Sequence, residues 1–202
     1  MVLDPQVPVP GQAADLLAFW IDEVGPAGWY AANADLDARI VADYAGLWQV
    51  ARSGGLISWQ ATPAGALAYI LLTDQFPRNM FRDDARAFAT DALALGAAGK
   101  VIYRRWDMRL PEPGRQFFYL PLMHSESSAD QDRCVRLMLT RLPETGANNL
   151  LHARAHREVI RRFGRFPYRN AALGRECTPD ERAFMEAGGY MAVVRELSDT
   201  AS

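Results

Sequence analysis

The chain has 202 residues, half of them apolar and 23% charged, the profile of a globular protein large enough to bury a core without disulfide or metal support. A formal charge of −2 excludes a general attraction to nucleic acid or acidic lipid, and no run of about 18 uncharged apolar residues is present to span a bilayer. The two cysteines, Cys134 and Cys177, lie far apart and form no thiolate metal site or redox pair.

The opening residues lack the basic region and apolar core of a signal peptide, so a cytoplasmic location is expected. Length favours a single domain over residues 1–202, with a proline-containing extended lead-in at 1–12 and a frayed tail at 195–202. From Ala13 to Val24, Leu16, Leu17, Phe19 and Trp20 crowd one side of a helix that Gly25 and Pro26 end. Asn33 or Asp35 caps the next helix, in which Ile40, Tyr44, Leu47 and Trp48 follow helical spacing until Gly54 and Gly55. Thr62 and Pro63 open a third helix, with Leu67, Ile70 and Leu71 on its apolar face. Pro77 closes it, because proline disfavours helical geometry in the residue before it.

Asp91 caps a helix from Ala92 to about Trp106. The apolar run FFYLPLM at 117–123 reads as a kinked or broken helix, since Pro121 counts against a central strand. Ser128 to Gln131 has the capping-box pattern and opens a helix to about Leu142. Asn148 or Asn149 begins another, with Gly164 as its C-cap. Thr178 to Glu181 forms a second capping box, and the last helix frays after Val194. No segment alternates as a strand would, and no period of roughly 33 to 47 residues recurs. The expected fold is all-α, built of antiparallel helix pairs.

Two segments repeat a pattern: FPRNMFRD at 76–83 and FPYRNAALGRE at 166–176. Each follows an apolar helix. The phenylalanine turns inward as a plug, the proline fixes the exit, and the asparagine suits the turn by bonding nearby backbone. In the bland reading, Arg78 and Arg169 complement the carbonyl ends of their helices. In the sharper reading, Asp74 sits where the dipole disfavours it and takes Arg78 or Arg82 as partner. If the two turns then face one another, Arg78, Arg82, Arg165 and Arg169 gather more positive charge than one carboxylate neutralises, and the surplus holds an anion.

The segments LTDQFPRNMFRDDARAFATDALAL, FFYLPLMHSESSADQ and HREVIRRFGRFPYRNAALGRECTPDERAF together resemble an uncharacterised bacterial family, domain of unknown function nine hundred and twenty-four. The likeness runs from about Leu16 to Phe184. It implies an all-helical fold similar to tetratricopeptide-repeat proteins, a right-handed helical array, and it implies no activity. The positions that match the family's motifs are Asp74, Gln75, Phe76, Pro77, Arg78, Asn79, Arg82, His124, Ser125, Glu126, His156, Arg165, Phe166, Pro167, Arg169 and Asn170. Tyr168 departs from the pattern, because the family often has histidine there.

Other constellations are weaker. His152 and His156 share a helix face, yet no H-E-x-x-H pattern is present and Arg154 and Arg157 oppose a cation, so no metal or other cofactor is expected. His124, Ser125 and Glu126 have triad residue types but adjacent residues do not point at one another, and no nucleophile elbow accompanies them. Residues 152–175 hold seven arginines against one acid, while residues 1–60 hold two arginines against seven acids, so internal compensation outweighs nucleic acid as a partner. The leading expectation is a binding module for a small anion or acidic peptide terminus. Its ligand positions are Asp74, Gln75, Arg78, Asn79, Arg82, His124, Glu126, His156, Arg165, Arg169 and Asn170. The alternative is a hydrolase using His124 or His156 as general acid or base.

Overall fold

A computed structural model describes residues 9–199, and every regular element within them is helical. The expectations for residues 1–8 and 200–202, most of the lead-in and the end of the tail, lie outside the described residues. Contacts divide the chain into two compact units: Met1–Arg82 with Arg86–Pro121, and Asp83–Ala85 with Leu122–Ser202.

The first unit holds α1 (Gly11–Leu17), α2 (Gly25–Gly28), α3 (Ala34–Arg52), α4 (Pro63–Ile70), α5 (Phe76–Met80) and α6 (Asp91–Tyr103). Two of the three expected caps form, whereas Asp91 is the first residue of α6 rather than its cap, and Thr90 precedes it without a side-chain cap. Asn33 accepts from the backbone N–H groups of Asp35 and Leu36, and Thr62 from that of Gly65. The core is aromatic. Trp20 and Trp48 are fully buried, and the Phe76 ring lies 5.2 Å from Trp20 and 4.9 Å from Tyr44. Two of the buried indoles find partners, as Trp29 donates to the Trp20 carbonyl and Trp48 to the Thr90 hydroxyl, whereas the Trp20 Nε1 has none among the described residues.

Gly65 allows α4 to lie against the preceding turn. A Cβ at this position would sit 2.2 Å from the Trp59 carbonyl oxygen, a backbone atom that cannot move aside cheaply. Gly65→Ala is therefore expected to cost about 1–3 kcal/mol, read as a lower urea midpoint at unchanged m-value.

Proline does not close the third helix. The chain passes from α4 through a π-turn at Leu71–Gln75 into α5, which carries Pro77 in its first turn. The wider turn inserts one residue into the hydrogen-bond ladder, and the missing proline N–H then falls where a new helical start needs none. A second π-turn, Ala18–Val24, extends α1 and brings Phe19 and Trp20 into the core. The expected break at Pro121 is present: a 3₁₀ turn at Gly114–Phe118 gives way to the short α7 (Leu120–Met123).

The second unit holds α8 (Ser128–Arg141), α9 (Ala147–Phe163), α10 (Pro179–Glu186) and α11 (Gly189–Asp199). Helices α8 and α9 pack together, as do α9 and α11. Ala155, Val159, Ile160, Phe166, Val193 and Val194 form a core on which Phe163, Phe184 and Tyr190 pack. Gly164 ends α9 in the left-handed region at φ 69°, its N–H bonded to the Ile160 carbonyl.

Three expectations fail here. Helix α9 begins at Ala147 behind the N-cap Gly146, not at Asn148 or Asn149. Ser127, not Ser128, is the N-cap of α8, and no side chain caps it. The buried Gln131 amide donates instead to the Met123 and Ser125 carbonyls, tying down the strand of chain that enters the helix. The last helix is two helices, broken near Gly188 and continuing to Asp199, because Val193 and Val194 remain in the core. The Thr178 capping box forms as its sequence predicts.

Candidate functional site

The candidate residues fall into two clusters. In the first unit, the π-turn presents Asp74 and Gln75 inward, and Asp74 is fully buried. Gln75 donates to its carboxylate at 2.5 Å, and Arg78 lies 3.3 Å from it. Arg78 also makes a two-pronged contact with Asp91 at 3.0 and 3.1 Å. Asn79 and Arg82 both reach Asp37 in the first turn of α3, at 2.7 and 2.8 Å. The Tyr30 hydroxyl donates to Gln116 at 2.6 Å, and burial, then the Asp74 charge, raise the phenol's pKa.

In the second unit, the second Phe-Pro turn is braced by two carboxylates. Glu126 accepts from the Phe166 N–H at 2.8 Å and from Arg175 at 2.7 and 3.0 Å. Burial works against its charge, but these donors outweigh burial and hold the carboxyl below its usual range. Glu181 accepts from Arg165 at 2.6 and 2.8 Å, from Asn170 at 3.2 Å and from the Thr178 N–H at 2.8 Å. Arg165 foremost pulls Glu181 down to about 2. Asn170 links the two carboxylates, because its carbonyl oxygen accepts from Arg175 at 2.9 Å.

Beside this brace lies a basic, aromatic cluster. The Arg169 guanidinium is buried 4.4 Å over the Phe166 ring, which is itself 5.4 Å from the His156 ring. The His124 ring is 6.3 Å from His156, and Tyr190 is 4.6 Å from it. His156 Nδ1–H donates to the His152 carbonyl at 2.9 Å, which leaves Nε2 the acceptor in the neutral ring. Burial, then the positive neighbours His124 and Arg169, push His156 down to about 3. The Tyr190 hydroxyl bonds to His152 Nδ1 at 2.6 Å. A cavity of about 440 Å³ opens here, lined by His156, Tyr168, Met185, Tyr190, Met191 and the Gly188–Gly189 turn.

The charge surplus anticipated at the Phe-Pro turns needs correction. Arg78, Arg82 and Arg165 each have carboxylates of their own within their units, so they are not a pool of uncommitted charge. Sequence proximity pointed only to Asp74, whereas Asp91, Asp37 and Glu181 stand 13, 45 and 16 residues from the arginines they meet. Arg175, Glu181 and Tyr190 were missed as members of these clusters. For Glu181 a signal existed, since a capping-box glutamate is already held near a helix start. Among the described residues, no three histidine, cysteine, aspartate or glutamate side chains converge as metal ligands, and no helix is long and apolar enough to cross a membrane.

These features define an all-helical protein with one carboxylate-braced turn in each unit and an aromatic, basic cluster beside the second. The chain belongs to a bacterial family: residues 16–189 match the one described as "Bacterial protein of unknown function (DUF924)". It is also similar to a solved structure, a protein of unknown function, ATU0120, from Agrobacterium tumefaciens. That likeness has 40% identity and a TM-score of 0.81, and it covers 87% of this chain and 97% of the other. No curated protein matches the chain.

Proposed function

We propose that the protein is a binding module whose second unit holds a small anion, a carboxylate or phosphate bearing an apolar or aromatic group. The observation that carries this reading is the gathering of His124, His156 and Arg169 around Phe166, beside a cavity walled by tyrosine and methionine. The nearby carboxylate, Glu126, is held by Arg175 and the Phe166 N–H. An anion entering the cluster would offset the burial, and after it the repulsion from His124 and Arg169, that depress His156, while Tyr168, Tyr190, Met185 and Met191 cover its apolar body.

In this reading Asp74, Gln75, Arg78, Asn79 and Arg82 serve their own turn. Glu126, Arg165 and Asn170 brace the wall, and His124, His156 and Arg169 meet the ligand. The hairpin of α8 and α9, followed by α10 and α11, is what supports a tetratricopeptide-like array as the finer description of the fold. A hydrolytic role for His156 fits less well. A ring pushed down to about 3 is a weak base at neutral pH, far from the match that acid–base catalysis favours.

Calorimetry with inorganic phosphate and with phenylpropionate tests the proposal. Binding is expected to tighten as pH falls, because an anion raises the His156 pKa and binding takes up a proton. Arg169→Gln is expected to weaken binding about tenfold or more, with helicity retained. Should Arg169→Gln fail to fold, Tyr168→Ala at the cavity rim provides the second variant. Absence of binding to both probes at millimolar concentration, or affinity indifferent to pH and to both variants, refutes the proposal.

A further inference from the structure

We infer that the strip from Lys100 to Arg109 in the first unit is a docking surface for single-stranded nucleic acid. Within that unit Arg39, Arg78, Arg82 and Arg115 all meet carboxylates. Arg104, Arg105 and Arg109 are exposed and, among the described residues, meet none; Lys100 donates to the neutral Gln60. The one acid of the strip, Asp107, is buried and accepts from the Tyr119 hydroxyl at 2.6 Å. Tyr103, between Lys100 and Arg104, is 87% exposed, the highest value for any large apolar side chain among the described residues.

Complementing the C-terminal dipole of α6 accounts for Lys100 and Arg104. It does not account for Arg109, which lies beyond the helix, or for the bare ring of Tyr103. Nor does it account for Arg105, which sits in the left-handed region at φ 56° and ψ 28°, just past the Arg104 C-cap. Glycine is the favoured residue there, and an arginine held in that conformation is strained. A charged side chain at such a position points to work done at the surface rather than in the fold.

The occupant follows from the alternation of cations and rings. The Arg104 guanidinium carbon lies 4.8 Å from the centre of the Trp106 ring, a contact to the ring face that still leaves N–H groups for a phosphate. Tyr103 offers a face on which a base stacks. An acidic peptide would use the charges and leave the rings idle, and Trp106, half-buried beneath Arg104, is not placed to enter a lipid surface. The arginine-rich stretch 152–175, the segment whose composition first raises nucleic acid, is by contrast largely compensated. Arg157 meets Asp132, Arg161 and Arg162 meet Glu158, Arg165 meets Glu181, and Arg175 meets Glu126.

Fluorescence anisotropy of a labelled oligouridylate titrated with the full chain tests the inference. Three to four phosphate contacts predict a plot of log affinity against log salt with a slope of roughly −2 to −3. Tyr103→Ala is expected to weaken binding about tenfold. Arg105→Gly is expected to reduce the slope by about 0.7 while raising Tm by about 2–4 °C, so that lost binding is not lost folding. The inference is overturned if no salt-dependent binding is found at low ionic strength, or if both variants bind as the parent does. Tighter binding to phosphatidylserine vesicles than to oligouridylate, or a lower Tm for Arg105→Gly, would overturn it as well, assigning the strip to a lipid surface or to a structural cap.

Discussion

Replacing Glu181 by alanine lowers stability by about 3–5 kcal/mol, the range for removing one partner of a buried, hydrogen-bonded ion pair. The carboxylate side chain is 3% exposed and collects the Arg165 guanidinium, the Asn170 amide and the Thr178 N–H at the start of α10. Its loss strands all three donors and opens the capping box at the same time. The sign of the pH effect follows from the depressed pKa. Between the ordinary carboxylate range near 4.5 and about 2, the unfolded chain binds a proton at this position that the folded protein does not. Glu181 therefore contributes fully above that window, and its contribution is lost as pH falls through about 2. Thermal unfolding of parent and Glu181→Ala from pH 7 down to pH 2 is expected to show a wide Tm gap that narrows below about pH 4.5. His156 adds acid sensitivity at a higher pH. Its ring titrates ordinarily near 6.5 and is held to about 3 when folded, so its share of stability also falls as pH drops through that interval. A gap that stayed constant with pH would show that the Glu181 charge is not what holds the turn.

Phe76→Ala is the counterpart in the first unit, with an expected loss of about 3–5 kcal/mol. The ring is fully buried among Trp20, Tyr44 and Phe19 at 5.2, 4.9 and 6.2 Å, so its removal leaves a cavity that bulky rings cannot close without leaving their rotamers. The denaturation midpoint should fall at unchanged m-value. Tyr44 supplies a second readout. Burial first, then the charge of Asp43, pushes its phenol up to about 12, and a hydrated cavity beside it should bring that titration back toward its ordinary value, visible by ultraviolet absorbance. An unshifted Tyr44 and a loss under 1 kcal/mol would mean that the core refills the space.

The two losses bear differently on the candidate ligand site. Phe166 is the second-unit equivalent of Phe76, and it carries Arg169 on its face with His156 nearby, whereas the Phe76 ring packs only against other aromatic rings among the contacts described. Fold stability and anion binding are therefore expected to separate: Phe76→Ala should weaken the protein generally, while Arg169→Gln should weaken binding with little change in helicity.

Local chemistry made much of this protein legible without coordinates. Asn33, Thr62, Gly164 and the Thr178 box mark helix ends because each satisfies backbone groups within a few residues of itself. The absence of alternating segments identified an all-helical chain for the same reason. The candidate positions Asp74, Arg78, His124, Glu126, His156, Arg165, Arg169 and Asn170 were named from their motifs. Their partners could not be, because no spacing rule links Arg82 to Asp37, or Glu126 to Arg175 across 49 residues. The π-turns escaped notice too. Leu71 to Gln75 has no composition that distinguishes it from α-helix, and in the fold Asp74 and Phe76 are both fully buried at this turn.

The amino-acid order thus determined the helical class, those helix ends that Asn33, Thr62, Gly164 and the Thr178 box fix, and the grouping of polar residues at the two Phe-Pro turns. Only the tertiary structure decided which carboxylates Arg78, Arg82, Arg165 and Arg175 meet. Caps and periodicity act over a few residues of backbone, where order alone fixes geometry. Ion pairing acts through space at about 3 Å, and that closeness is created by packing rather than by position in the chain.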